Sequence, residues 1–265
     1  MSGPDLELLA SHLDDETAAL LGVLVDASDV QWHTATPSPG WTVADQVSHL
    51  AYFDEAATAS VLDAARFDEL RDDAIALGAA LCDEVADRYR AVTPAALLVW
   101  WRDARAAMVT AMLAAGPSRR VPWYGPDFSV ASAMTGRIME TWAHGQDVYD
   151  ALGEPHKVTG ALYDVARLCA RTRANSYASR GLVVPDGDVA VELAAPDGTT
   201  WRFGGEATAV VRGDAVEFCL VATQRRNLAD TSIETDGPGA REWLEIAQAF
   251  AGPPGPGRAA SGVAP

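Results

Sequence analysis

Glu140 and His144 stand four residues apart in the run from Gly136 to Asp147, among Ile138, Met139 and Trp142. That spacing puts both side chains on one face of a helix, and the helix is otherwise largely apolar. A carboxylate in such company needs a partner, because an unpaired charge is costly to bury. The chain must therefore fold so that another segment faces this pair. His49 is the candidate from elsewhere, placed in the second turn of a helix that starts at Thr42. Zinc and similar divalent ions take imidazole nitrogen and carboxylate oxygen, and catalytic sites combine three protein ligands with an open position. His49, Glu140 and His144 would make such a set. Spacing alone equally allows a solvated helical pair at Glu140 and His144, and a satisfied core or surface position for His49.

The pattern before Gly181 is helical. Leu6, Leu9, Leu13, Leu20 and Leu24 repeat at helical spacing to about Asp26, and Pro37-Ser38-Pro39-Gly40 then breaks the chain. Thr42 and Asp45 have the form of a capping box. A further helix is expected from about Phe67 to Arg90. Thr93-Pro94 starts another that ends at Gly116. Pro117 to Phe128 is irregular, Ser129 caps the helix that carries Glu140 and His144, and Gly153 stops it. A last helix, from about Thr159 to Ser179, completes an all-α first part. After Gly181 the grammar changes to strands: Val189 to Leu193 and Thr200 to Phe203 around the turn Pro196-Asp197-Gly198, then Val210-Val211. A helix follows from Asp214 to about Arg226, then a short strand from Ser232 to Thr235, and Pro238 opens a final helix reaching Phe250. The expected domains are 1–181, helical; 182–251, a small α+β unit; and 252–265, a disordered tail rich in Pro, Gly and Ala.

A net charge of −17 repels phosphate backbones and anionic lipid, which argues against nucleic-acid and membrane partners. No apolar run reaches the length of a membrane span, and the N-terminus lacks an export signal, so a cytoplasmic location is expected. Cys82, Cys169 and Cys219 are scattered through apolar surroundings with no paired spacing, as reduced structural cysteines are.

Trp41-Thr42-Val43-Ala44-Asp45-Gln46-Val47-Ser48-His49-Leu50, followed far downstream by Glu140-Thr141-Trp142-Ala143-His144, resembles the DinB-like four-helix metalloproteins, in the branch related to mycothiol-dependent maleylpyruvate isomerase. Val121-Pro122-Trp123-Tyr124-Gly125-Pro126 and Val221-Ala222-Thr223-Gln224-Arg225-Arg226 extend the likeness over nearly the whole chain. The resemblance implies an α+β protein overall, with an N-terminal DinB-like bundle and a small sterol-carrier-like α+β domain. It also implies a divalent metal, zinc by ligand type, on His49, Glu140 and His144, with mycothiol as thiol cofactor or co-substrate. An arginine at a helix end in the second domain helps to bind the thiol in the family; Arg225 is the positional match and Arg226 its neighbour. Helix-dipole complementarity alone also favours arginines there. Arg137, one turn before Glu140, is placed to orient that carboxylate, to meet an anionic substrate, or to make a surface ion pair. Asp147 is placed to hold the His144 tautomer or to remain a solvated acid.

The function this implies is metal-dependent use or transfer of a low-molecular-weight thiol, added to an electrophilic small molecule with isomerisation or S-conjugation as outcome. Two other classes fit the same residues: a hydrolase acting through activated water, and a non-catalytic protein that encloses a small ligand.

Overall fold

Asp5 starts the first helix by accepting the backbone N–H groups of Glu7 and Leu8 at 3.1 and 3.2 Å. The computed structural model describes residues 5–262. Two compact units divide the chain between Ala161 and Leu162.

The first unit is built on α1 (Leu6–Asp26), a single turn α2 (Asp29–Trp32), and α3 (Val43–Leu62). Thr42 and Asp45 form the capping box of α3, each accepting from the other's backbone N–H. Next come α4 (Ala64–Leu77), α5 (Leu81–Tyr89) and α6 (Pro94–Ala115), the last capped by Thr93 with proline in its first turn. β1 (Arg120–Val121) and β2 (Phe128–Ser129) form a two-residue antiparallel ladder before α7 (Val130–Leu152). The first part is thus not purely helical: the segment read as irregular closes on itself through this ladder. α1, α3, α6 and α7 make a four-helix bundle, and α4 and α5 form the long excursion between α3 and α6. Leu20, Leu24, Val47, Leu50, Leu97 and Trp101 are fully or almost fully buried between them. Each such side chain contributes about 1.5–3 kcal/mol on leaving water.

The helix expected from Phe67 to Arg90 is broken. Gly78 adopts φ +56°, a conformation that L side chains rarely take, and a short 3-10 turn then redirects the chain into α5. Gly153 ends α7 in the left-handed region, its N–H donating to the Tyr149 carbonyl.

The second unit holds α8 (Ala161–Arg171), which begins at the last residue of the first, and α9 (Arg173–Ala178). The sequence pattern predicts a single helix here. Thr172 interrupts it: its hydroxyl and its N–H both turn back to the Cys169 carbonyl, at 2.8 and 3.2 Å. β3 (Val189–Ala194), β4 (Thr200–Phe203), β5 (Ala209–Asp214), α10 (Ala215–Ala222), β6 (Glu234–Asp236) and α11 (Ala240–Glu245) follow. The sheet order is β4-β3-β5-β6, with β3 and β5 parallel and the outer pairs antiparallel. Val191, Leu193 and Val211 point to the buried face, against α10 and α11, whose Phe218 and Trp243 meet edge to face.

Two helices here stop earlier than their sequence suggests. α10 ends at Ala222 because Gln224 takes φ +60°, and the N–H groups of Arg225 and Arg226 both fold back to the Leu220 carbonyl. α11 ends at Glu245 because Ala247 and Ala249 bond to the end of α10 instead, through Gln224 Nε2 and the Ala222 carbonyl. The described part of the tail, 252–262, has no helix or strand. It is nevertheless tied to this unit, by Arg180 to the Gly255 carbonyl and Asn227 to the Arg258 carbonyl.

Candidate metal centre

α3 and α7 bring His49, Glu140 and His144 together, with one ligand atom from each lying within 4.8 Å of the others. His144 Nε2 is 3.2 Å from Glu140 Oε2, and His49 Nε2 is 3.7 Å from the same oxygen. The two imidazole centroids are 4.2 Å apart. His49 Nδ1 is buried and has no hydrogen-bond partner among the described residues. A buried imidazole nitrogen left so costs about 1–3 kcal/mol, and the other ring nitrogen, Nε2, is the one that faces Glu140. Two imidazoles and one carboxylate are also the donor types that divalent transition ions take. The residues present fit such an ion.

The loop before α3 controls His144. The Pro37-Ser38-Pro39-Gly40 turn is closed by an isolated bridge between Ala35 and Thr42, and by the Thr36 N–H and hydroxyl, which donate to the Trp41 carbonyl at 2.8 and 3.0 Å. Having spent its hydrogen, the Thr36 hydroxyl accepts from Gln46 Nε2 at 2.9 Å. This orients the Gln46 amide, whose Oε1 lies 2.5 Å from His144 Nδ1. An oxygen there only accepts, so Nδ1 carries the hydrogen and Nε2 is turned toward Glu140. Gln46, fully buried, is the residue the sequence reading missed.

Aromatic side chains wall the donors. Trp41 stacks on His144 at 6.0 Å and is fixed by Nε1 donating to Asp83 at 2.8 Å. Phe53 lies 4.6 Å from His49, and Tyr124 meets Phe53 edge to face at 5.8 Å. Burial pushes His49 down to about 3, with the charges of His144 and Arg137 lowering it further against the opposing Glu140. Burial alone would raise Glu140, but the imidazoles of His144 and His49 outweigh it and hold the carboxyl well below its usual value. At neutral pH the set therefore presents an uncharged His49 and an ionised Glu140. Cys82, free and half-buried, is pushed up to about 12 by burial and then by the charges of Glu140 and Asp83, so it is a thiol there.

The family described as "Mycothiol maleylpyruvate isomerase N-terminal domain" matches residues 13–149, a span that contains all three donors and Gln46. The chain belongs to this family. Uncharacterised proteins from two strains of Mycobacterium tuberculosis are each 42% identical to it over 257 residues, covering 97% of this chain and 98% of theirs. Crystal structures of the mycothiol-dependent maleylpyruvate isomerase and of a histidine-to-alanine mutant share the fold. Their TM-scores are 0.58 and 0.59 at 17% identity, over 91% of this chain and 99% of each of theirs.

In this family member the other singled-out residues have the following places. Arg137 is neither at the surface nor on Glu140: it is buried, with Nε donating to Asp54 at 2.9 Å and Nη2 to the Leu50 carbonyl at 3.3 Å. Asp147 is not solvated. It is fully buried and accepts from the Ser38 hydroxyl at 2.9 Å, pinning the turn to α7, while Gln46 occupies the His144 Nδ1 position expected for it. Arg225 and Arg226 belong to the second unit, just past the end of α10, where they donate to the carbonyls of Thr223 and Arg225 at 2.7 Å each. Among the described residues no helix is long and apolar enough to cross a membrane.

Proposed function

We propose that this chain is a metal- and mycothiol-dependent enzyme that adds a thiol to an electrophilic small molecule. The observation that carries this reading is the donor set His49, Glu140 and His144, with His144 held in the tautomer that turns the Nε2 lone pair toward Glu140. Membership of the family supports mycothiol as the thiol. His49, Glu140 and His144 would hold a divalent ion, zinc being suited to two imidazoles and a carboxylate. When bound, such an ion supplies the Lewis acidity that turns a thiol into a thiolate near neutral pH.

The chain's own residues prepare that chemistry. His49 stays neutral, so its lone pair is available without loss of a proton. Gln46 keeps the His144 proton on Nδ1. Trp41 and Phe53 exclude water, which strengthens every charge interaction inside. The thiolate sulfur then bonds to one carbon of an activated C=C bond, whose π pair moves onto the conjugated carbonyl oxygen as an enolate. Rotation about the resulting single bond, with return of the pair and expulsion of the thiolate, gives isomerisation, and uptake of a solvent proton by the enolate gives an S-conjugate. Arg225, or Arg226 beside it, would bind oxygen acceptors of the thiol's polyhydroxylated body through its fork of donors. A cytoplasmic location belongs to the same reading, consistent with three free cysteines.

The test is a screen of unsaturated electrophiles with and without mycothiol, on protein whose metal content has been measured. The expected result is about one divalent ion per chain, turnover that requires both ion and thiol, and loss of both metal and turnover in His144→Ala. Turnover indifferent to mycothiol would overturn the thiol reading, and full metal content in the triple alanine variant of His49, Glu140 and His144 would remove the centre.

A further inference from the structure

Asp54 is fully buried in the bundle, and both its oxygens are taken by arginines: Oδ1 by Arg137 Nε at 2.9 Å, Oδ2 by Arg105 Nε at 2.7 Å. Arg105 donates further to the Thr17 hydroxyl at 2.6 Å and the Thr141 hydroxyl at 3.0 Å. Those hydroxyls give their own hydrogens to the carbonyls of Leu13 and Arg137, so they meet Arg105 only as acceptors. Arg137 Nη2 reaches the Leu50 carbonyl. One carboxylate thus ties together α1 through Thr17, α3 through Asp54 and Leu50, α6 through Arg105, and α7 through Arg137 and Thr141.

The attachment points on two of these helices are close to the donors. Leu50 follows His49, Asp54 lies little more than a turn beyond it, and Arg137 and Thr141 bracket Glu140 within one turn. Stability does not account for the arrangement, because well-packed apolar residues in place of a buried ionic cluster are often as stable or more so. Apolar packing would also tolerate small sliding of one helix along another. A bidentate carboxylate with fixed hydroxyl directions admits one register.

We propose that Asp54, Arg105 and Arg137 are positioning residues that lock α3 against α7 in the register where His49 meets Glu140 and His144. The proposal rests on the reading of those three as a metal centre. It assigns the cluster no contact with substrate.

The test uses the full chain, with Co2+ as a spectroscopic probe of ligand geometry and Zn2+ affinity measured against a competing chelator. Asp54→Asn keeps the shape, loses one arginine bond because Nδ2 only donates, and weakens the other. Its affinity should fall by about ten- to a hundredfold, as for other groups that orient ligands, and its Co2+ absorption bands should shift. Arg137→Lys keeps the charge and loses the fork, and should change in the same direction by less, which covers the case of an Asp54→Asn that fails to fold. Thr17→Val, on the helix that carries no donor, should lower the melting temperature and leave the Co2+ bands in place. Wild-type affinity and bands in folded Asp54→Asn or Arg137→Lys, whatever their melting temperatures, would overturn the proposal alone. A wild-type protein that binds neither ion would sink the centre, and the proposal with it.

Discussion

Thr36 gives its hydroxyl hydrogen to the Trp41 carbonyl and therefore meets Gln46 only as an acceptor, which settles the orientation of an amide and, through it, the tautomer of His144. The donor set is thus organised by a threonine that acts through Gln46.

Gln46→Leu should keep the bundle folded and weaken zinc binding by about ten- to a hundredfold, read by chelator competition. Gln46→Glu, which restores an acceptor for His144 but sets a second acceptor against the Thr36 hydroxyl, should recover only part of the loss. Equal affinities for wild type and the leucine variant would mean that His144 does not depend on this contact.

The metal-free protein should lose stability on acidification in a window set by His49. The unfolded chain takes up this proton near 6.5 and the folded one only near 3, so the contribution is complete above pH 6.5 and drains as pH falls toward 3. The slope is at most about 1.4 kcal/mol per pH unit. Melting curves in chelator from pH 7 to pH 4 should be flatter for His49→Gln than for wild type, and parallel curves would contradict the assignment.

Cys82 should resist thiol reagents. With its thiol pushed from the ordinary value of 9 up to about 12, the thiolate fraction at pH 8 is about a thousandfold below that of an ordinary cysteine. Rapid labelling of the native protein at Cys82, mapped by peptide mass, would contradict this. Cys82→Ser should leave turnover intact.

Arg225→Ala should weaken mycothiol binding in calorimetric titration while metal content stays at the wild-type level. Unchanged affinity in both Arg225→Ala and Arg226→Ala would return these side chains to bonding the carbonyls that follow α10.

Gln224 pairs a left-handed backbone with a side-chain bond to the Ala247 carbonyl. Gln224→Ala keeps the strain and loses the bond, and should cost about 1 kcal/mol. Gln224→Gly loses the bond and the strain together and should remain near wild type. Chemical denaturation that ranks alanine above glycine would refute this.

Local punctuation made most helix ends legible. Thr42 with Asp45, Thr93 with Pro94, Gly116, Ser129 and Gly153 mark helix boundaries because a cap bonds within three or four residues. The breaks at Gly78 and Thr172 were not legible, since a lone glycine or threonine is ordinarily tolerated inside a helical pattern. Nor was the end of α10, where glutamine takes a position usually given to glycine. The donor residues could be picked out by type and by resemblance. Their supporting contacts could not: Gln46 meets His144 across 98 residues of chain and Asp54 meets Arg137 across 83. Such pairings depend on how helices cross, which periodicity does not encode. For Arg137 and Asp147 the sequence leaves both a role at the site and a solvent-facing position open, and only the way the helices cross supplies their partners Asp54 and Ser38.

The donors stand on packed helices, whereas Trp123 and Tyr124 stand on a connecting segment whose regular structure is a ladder of two residues per strand. Substitution, or even insertion, in that segment can change the Tyr124 ring that packs on Phe53 beside His49 while the helices keep their spacing. Inheritance can therefore act on the two parts separately. Relatives that share His49, Glu140 and His144 on the helices can therefore differ in what this segment presents.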